Sequence, residues 1–342
     1  METERFSKNE GQPLNIIKEK RVLAFAKYAH HIQGPQVRQL SEVANGASVL
    51  DLSSNAKKII VYVNHSPYHL INDIVGDVCW FLDQSNDHEV ILNVEFENHQ
   101  TTTAPGRDSR KYVVDILQML SDEYKTRVSI HSLATYDAVI VDNLQIDSLP
   151  ISMSDRTLSS YNFFKKVLGL STDIIPTRKV YLSRRYNSGQ RFLALHNGKD
   201  IEIDHDRIKD EDLLEEYFSK KGFEIVRPEE FSSFTEQARF FSEVSTIVSV
   251  TSSGLTNLIF MQPGQVVVEL MTLLPLINGR MSLVETNPPK FEVEEYILEA
   301  HHFYKTMSYT KNHTYVSAPN IDKRPETIIK FIETSPVLSK IF

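Results

Sequence analysis

The chain is 342 residues long, with a formal charge of −8, 41% apolar and 24% charged residues, and one cysteine. Such a length favours about two domains, each able to bury a core. The acidic balance excludes a general nucleic-acid binder, which needs surplus Lys and Arg against phosphate. The lone Cys79 excludes an internal disulfide and suits a reducing compartment. Within Val78-Cys79-Trp80-Phe81 it reads as a small core residue rather than a nucleophile. The first 30 residues show no basic start followed by an apolar core. No run approaches the ~18 apolar residues that span a bilayer. The expectation is a soluble, cytoplasmic protein, with peripheral contact at the inner face of a membrane left open.

Residues 1–55 carry little pattern. The first clear strand is predicted over 57–63, followed by a helix over 73–82. Short β-type runs recur at 90–94, 128–130 and 138–141. Helical spacing of apolar residues marks 112–120 and 158–168. A break at 171–178, containing Pro176, precedes a restart: strand 179–183, helix 211–220, strand 223–226 and helix 234–244. A helix over 294–304, a strand near Tyr315 and a helix over 325–333 complete the chain. Strands alternating with helices predict parallel α/β layering. Two α/β domains are expected, 1–175 and 176–342, with a cleft between them and the last helix free to pack back on the first.

The richest stretch is 246–270, TIVSVTSSGLTNLIFMQPGQVVVEL. Its order predicts strand, tight turn at Thr251-Ser252-Ser253-Gly254, short helix at 255–261, Pro263-Gly264 turn, and a strand closing on Glu269. A helix N-terminus there offers free N–H groups and a positive dipole end to an anion. Ser252 and Ser253 add hydroxyl donors, and Gly254 lets the backbone approach closely. Glu269 falls at the carboxyl end of its strand, the edge where open α/β sheets bind ligands. Together these suggest a pocket for a phosphorylated, hydroxyl-rich ligand.

Three blocks of the second half, KVYLSRR (179–185), GFEIVRPEEFSSFTEQARFFSEVSTIVSV (222–250) and SGLTNLIFMQPGQVVVEL (253–270), resemble glycosyltransferase family 61. The ending HHFYKTMSYTKNHTYVSAP also looks like that family. In the first half the likeness is carried mainly by NHSPYHLINDIV (64–75), an Asn-aromatic-His-apolar-apolar-Asp pattern. One position departs. The family places His-Gly-Ala-Gly before Leu-Thr-Asn, whereas this chain has Thr251-Ser252-Ser253-Gly254.

The resemblance implies a GT-B fold: two Rossmann-like α/β domains with an interdomain cleft, the first for a glycan acceptor and the second for a nucleotide-sugar donor. It implies an inverting, metal-independent transferase acting in surface polysaccharide or capsule synthesis. Its partners would be the donor and a glycan acceptor, with a lipid-linked acceptor left open. No cofactor, metal or nucleic acid is implied. Donor binding falls on Arg184, Arg185, Ser252, Ser253, Gly254, Leu255, Thr256, Asn257 and Glu269. An arginine after the 179–183 strand can grip phosphate bidentately, though one of the pair can equally meet a surface carboxylate. Glu269 can hold ribose hydroxyls, or act in a cap or salt bridge. Glu236, in SFTEQ, reads as a helix-start acid.

For the base, His69 and Asp73 lie four residues apart and share a face if the segment is helical. His69 has a suitable intrinsic pKa, and a neighbouring carboxylate orients it; Asp73 alone is the alternative, and His65 a nearby decoy. Asp204-His205-Asp206 spells a carboxylate-x-carboxylate pattern, but its charged surroundings favour a solvated loop over a metal site. Arg107 and Arg110, in TAPGRDSRKY, are read as surface residues with a possible acceptor contact. Two rivals stay open: a non-catalytic nucleotide-sugar or glycan-binding protein, and a GT-B-shaped nucleotide-sugar epimerase. A CMP-linked donor is a variant of the first reading.

Overall fold

A computed structural model describes residues 16–17, 21–24, 36–38, 48–63, 69–94, 110–133, 136, 138–145, 149–171, 173–185, 191–196, 199–204, 207–277, 283–284, 290–298, 302–320 and 322–342. The chain divides into two compact units, residues 1–169 and 170–342.

The first unit holds strands β1 (Ile16–Ile17), β2 (Arg21–Ala24), β3 (Gln36–Arg38), β4 (Val49–Asp51), β5 (Lys57–Tyr62), β6 (His88–Asn93), β7 (Val128–His131), β8 (Ala138–Val141) and β9 (Leu144–Gln145). Its helices are α1 (Val75–Gln84), α2 (Arg110–Tyr124) and α3 (Met153–Val167). β5, β6 and β7 run parallel, linked by α1 and α2 as crossovers, and β9 and β1 extend that sheet to β1-β9-β5-β6-β7. Parallel neighbours require such crossovers. A second sheet, β3-β2-β8-β4, takes β8 away from the first. The predicted strand at 138–141 therefore exists, but not in the sheet that the alternation implied. Lys58, buried on β5, donates through Nζ to Ser54 O and Ala56 O and pairs with Asp142 Oδ1 at 2.9 Å. That pairing offsets the cost of burying an ammonium.

The helix expected over 73–82 starts earlier and wider. His69–Ile74 form a π-helical turn that runs into α1. Cys79 is buried on α1, and burial pushes its thiol up. α1 and α3 meet closely at Gly76, where a Cβ would fall 2.7 Å from Arg156 O. α3 is capped by Ser152, whose Oγ accepts from Asp155 N.

The second unit holds β10 (Arg178–Leu182), β11 (Arg191–His196), β12 (Lys199–Asp204), β13 (Glu224–Val226), β14 (Val244–Val250), β15 (Val266–Ile277), β16 (Leu283–Val284), β17 (Lys290–Leu298) and β18 (Thr314–Asn320). Its helices are α4 (Glu211–Lys220), α5 (Phe234–Ser242), α6 (His302–Thr310), α7 (Pro325–Thr334) and α8 (Leu338–Ile341). Five strands run parallel in the order β13-β10-β14-β15-β18. In chain order that is 2-1-3-4-5, the doubly wound pattern whose direction of growth reverses beside its first strand.

β14 is buried along nearly its whole length, as a central parallel strand must be. One core cluster joins Tyr181, Val248, Val268 and Ala318 of the sheet to Leu214 and Phe218 of α4, Ile328 and Ile332 of α7, and Leu338 of α8. Tyr181 stacks on Phe218 with ring centroids 4.7 Å apart. β15 outlasts its parallel partners. From Leu273 onward it pairs antiparallel with β17, which carries β16, β11 and β12 outward.

Two expectations are corrected here. Residues 290–298, overlapping the helix predicted over 294–304, form β17, and the helix starts only at His302. Long-range pairing with β15 and β11 overrides the local preference of a Glu-rich run. The charged stretch before α4, read as a loop, contains β12, an antiparallel partner of β11.

Candidate functional site

The carboxyl edge of the parallel sheet brings three loops together beside its reversal point. Gly254, after β14, has Ser252 Oγ, Leu182 Cδ1 at the end of β10, and Pro228 Cγ after β13 within 3.3, 3.4 and 3.8 Å of where a Cβ would sit. A side chain there would press on Ser252 and Leu182, so glycine keeps this corner open.

The loop after β10 is moulded by α4. Glu211 Oε1 accepts from Tyr181 Oη at 3.0 Å and from the Arg184 backbone N–H at 2.8 Å. Both oxygens of Glu215 accept from Arg227 Nη2, at 2.8 and 2.9 Å. The neighbouring arginines then diverge. Arg185 is 53% exposed and pairs with Asp212 on the surface, Nη1 to Oδ1 at 2.9 Å. Arg184 is half-buried and forms no ion pair among the described residues. Burial, followed by repulsion from Arg207, lowers its pKa to about 10. Arg207, just before α4, is held by Asn320 Nδ2 on its carbonyl at 2.8 Å. Tyr304 of α6 sits within the electrostatic reach of both arginines and faces Thr256; burial raises its hydroxyl pKa. Both arginines are half-buried, and the charges of Glu211 and Glu229 offset part of their repulsion, so the corner is basic and reachable by an anion.

The turn after β14 is a seven-residue 3-10 helix, Ser253–Ile259, instead of an α-helix. So short a segment aligns few peptide dipoles, and its N-terminus contributes little beside the arginines. Ser252, Leu255, Thr256 and Asn257 are buried, whereas Ser253 is exposed. Asn257 holds the turn: its Nδ2 donates to Gly254 O at 2.9 Å, and its Oδ1 accepts from Gln237 at 2.6 Å. Ser252 Oγ lies 3.4 Å from Ser249 Oγ.

Glu269 is fully buried. Its Oε1 accepts from Thr251 Oγ1 at 2.7 Å, and its Oε2 accepts from Tyr315 Oη of β18. Burial, then the Glu269 charge, pushes the Tyr315 hydroxyl up. Both oxygens are thus engaged inside the protein, tying β15 to the residue after β14 and to the start of β18. β15 runs on to Ile277, because it gains β17 as a further partner, so Glu269 does not end its strand as the sequence led one to expect. Glu236 reaches back to Ser232 N at 2.9 Å while Ser233 Oγ accepts from Glu236 N at 3.1 Å. That is a capping arrangement of α5.

In the first unit, the π-helical turn sets His69 Nδ1 2.8 Å from Asp73 Oδ2. The imidazole is 49% exposed and the carboxylate 25%. Burial acts to raise the Asp73 carboxyl, but hydrogen bonds from His69 and Asn72 and the charges of His69 and Arg156 outweigh it and hold it below the usual range. The pair has the makings of a general base. His65, His205, Asp206 and Arg107 lie outside the described residues, as does the side chain of Arg110; Asp204 ends β12.

Arg207 and Tyr304 went unread in the sequence. Arg207 sits in a run of alternating charges that carries no periodic signal, and only the sheet topology places it beside Arg184.

An α/β unit with a basic corner at its reversal point, together with a His–Asp pair, defines a candidate group-transfer protein. The model of one family, Glycosyltransferase 61, matches residues 67–268, more than half of the chain. The chain belongs to glycosyltransferase family 61 and is a glycosyltransferase by membership. The matched span begins just before His69 and ends just before Glu269. No curated protein matches the chain. Among the described residues, no helix is long and apolar enough to cross a membrane.

Proposed function

We propose that the protein is an inverting glycosyltransferase of the GT-B class, moving a sugar from a nucleotide donor to a glycan hydroxyl in surface polysaccharide synthesis on the cytoplasmic side. The donor falls to the second unit and the acceptor to the first. The observation that carries this reading is the corner that Gly254 keeps open at the carboxyl edge of the sheet, with the guanidinium groups of Arg184, after β10, and Arg207, before α4, close to each other. Charge that develops on a departing phosphate is best met by groups already fixed in place. These guanidinium groups supply what a divalent cation supplies in other transferases, so the reaction needs no metal.

In the step itself, an acceptor oxygen attacks the anomeric carbon from the face opposite the nucleotide. His69 Nε2 takes the hydroxyl proton, the carbon–oxygen bond to phosphate breaks, and the nucleotide leaves with the electron pair against Arg184 and Arg207. Asp73 holds His69 and stabilises the imidazolium that forms. Ser253 and the backbone at Gly254 remain available to phosphate or sugar. Leu255, Thr256 and Asn257, all buried, support the turn, while Arg185 stays with Asp212 on the surface.

A thermal-shift series with UDP-, GDP-, dTDP- and CMP-sugars, followed by nucleotide-release assays with and without glycan acceptors, tests the proposal. Stabilisation by one nucleotide class and acceptor-dependent release are expected. Stabilisation without release would leave a binding protein, and sugar interconversion without transfer an epimerase. Absence of any nucleotide response would remove the donor site.

A further inference from the structure

The His69–Asp73 pair is backed by a buried polar chain that the proposed chemistry has not yet used. Asn72 lies between Ile71 and Asp73 in the wide turn and is fully buried. Its Nδ2 donates to Asp73 Oδ1 at 3.1 Å. Its Oδ1 accepts from Thr157 Oγ1 of α3 at 3.0 Å, and its backbone carbonyl accepts from Ser160 Oγ at 3.2 Å. Thr157, also fully buried, keeps its hydroxyl 2.9 Å from Met153 O, one helical turn back.

The amide has one workable orientation. Rotating it by half a turn would set Asn72 Oδ1 against Asp73 Oδ1, two acceptors with no proton between them. The carboxylate is therefore held from both sides. Asn72 occupies Oδ1, and His69 Nδ1 faces Oδ2. An acceptor-only carboxylate at Oδ2 demands a proton on Nδ1, which leaves the lone pair on Nε2. The neighbours of Asn72 explain why this is more than packing. Leu70, Ile71, Ile74 and Val75 are all buried around the turn, and an aliphatic side chain in place of Asn72 would need no partner from α3. The other charge acting on the carboxylate is Arg156 on α3, which donates through Nε to Asp77 Oδ1 of α1 at 2.6 Å.

We infer that Asn72, fixed by Thr157, is a positioning residue for the base: it locks the Asp73 carboxylate so that His69 carries its proton on Nδ1 and presents Nε2 to the acceptor hydroxyl. This rests on the transfer reading above, with His69 as base. Thr157 acts one step further back, through Asn72.

The test is a set of variants of the full chain, assayed with the donor found by thermal shift: Thr157→Val, Thr157→Ser, His69→Ala, and the double variant T157V/H69A. Thr157→Val is expected to lower kcat about tenfold with the donor KM within about twofold, and Thr157→Ser to restore it. In the His69→Ala background, Thr157→Val should cost nothing further, because its effect passes through the imidazole. An equal loss in both backgrounds would reduce Asn72 and Thr157 to structural roles and overturn the inference alone, as would an unchanged kcat in Thr157→Val. Full turnover by His69→Ala would overturn it together with the base assignment. Nitrogen NMR of the His69 ring gives a check that needs no activity. An Nδ1–H tautomer is expected in the parent protein, with loss of that preference in Thr157→Val, and an Nε2–H tautomer in the parent overturns the inference.

Discussion

Asp73 and Glu269 each accept side-chain hydrogen bonds on both carboxylate oxygens, yet they occupy opposite situations. Asp73 sits on a widened turn, one quarter exposed, and orients a half-exposed imidazole. Glu269 is sealed, with its oxygens turned to Thr251 and Tyr315. The same chemical group holds a proton carrier toward solvent in one unit and ties three neighbouring segments of a sheet in the other. Burial, more than residue type or strand position, separates the two roles.

Breaking the first arrangement should give the largest effect. His69→Ala is expected to lower turnover about 10²- to 10⁴-fold, the usual range for losing a general base, with donor affinity unchanged. Steady-state kinetics beside nucleotide titration checks this, and a parallel loss of donor affinity would undo the contrast with Glu269. Next comes Glu269→Ala, which leaves two buried hydroxyls without their acceptor. A loss of about 3 kcal/mol of stability is expected from hydrogen bonds to a charged partner, read by urea unfolding. The fraction that remains folded should still bind nucleotide. If the melting behaviour holds and nucleotide binding disappears, Glu269 belongs to the ligand after all.

The adjacent arginines sharpen the same lesson. Arg184→Ala should weaken nucleotide binding by about 100-fold, since a half-buried charged contact is lost, whereas Arg185→Ala should change it by less than about threefold. Calorimetric titration separates them.

The histidines extend the comparison. His313 is buried: its Nδ1 accepts from Gln265 N at 3.1 Å, and its Nε2 lies 3.4 Å from Leu258 O. Burial, then the neighbouring Lys311 charge, lowers its pKa to about 4. The unfolded chain therefore binds the proton more readily, so the neutral ring's stabilisation is present above pH ~6.5 and is lost as pH falls toward ~4. About 2 kcal/mol should have gone by pH ~5, and His313→Asn, which can still accept from Gln265, should flatten that slope in a pH series of unfolding curves.

Much of the framework was legible from local pattern. α4 was bounded correctly from its amphipathic spacing, and the strand–turn–strand order of 246–270 held because β-branched runs, Gly and Pro all agreed. The i,i+4 spacing of His69 and Asp73 foretold a contact now measured at 2.8 Å. What escaped depends on distance along the chain. β17 forms because β15 and β11 offer it partners, which its own Glu-Glu sequence does not reveal. β11 and β12 did carry a signal, since Asn197-Gly198 separates an apolar run from the alternating KDIEID, a strong hairpin pattern. The charge of that segment hid its period of two. Arg207, Tyr304 and Tyr315 gain their meaning only when β10, α6 and β18 are assembled, so no spacing rule could have paired them with Arg184, Thr256 or Glu269.

The missing methyl at Gly76 bears on all of this. Because a Cβ there would fall on the carbonyl of Arg156, α1 and α3 are set apart by backbone alone, without an intervening side chain to give way. The residue after Arg156 is Thr157, whose hydroxyl must find Asn72. That separation works as a gauge block. A wedge one carbon wide at Gly76 would be passed through backbone to the hydrogen bonds behind the imidazole.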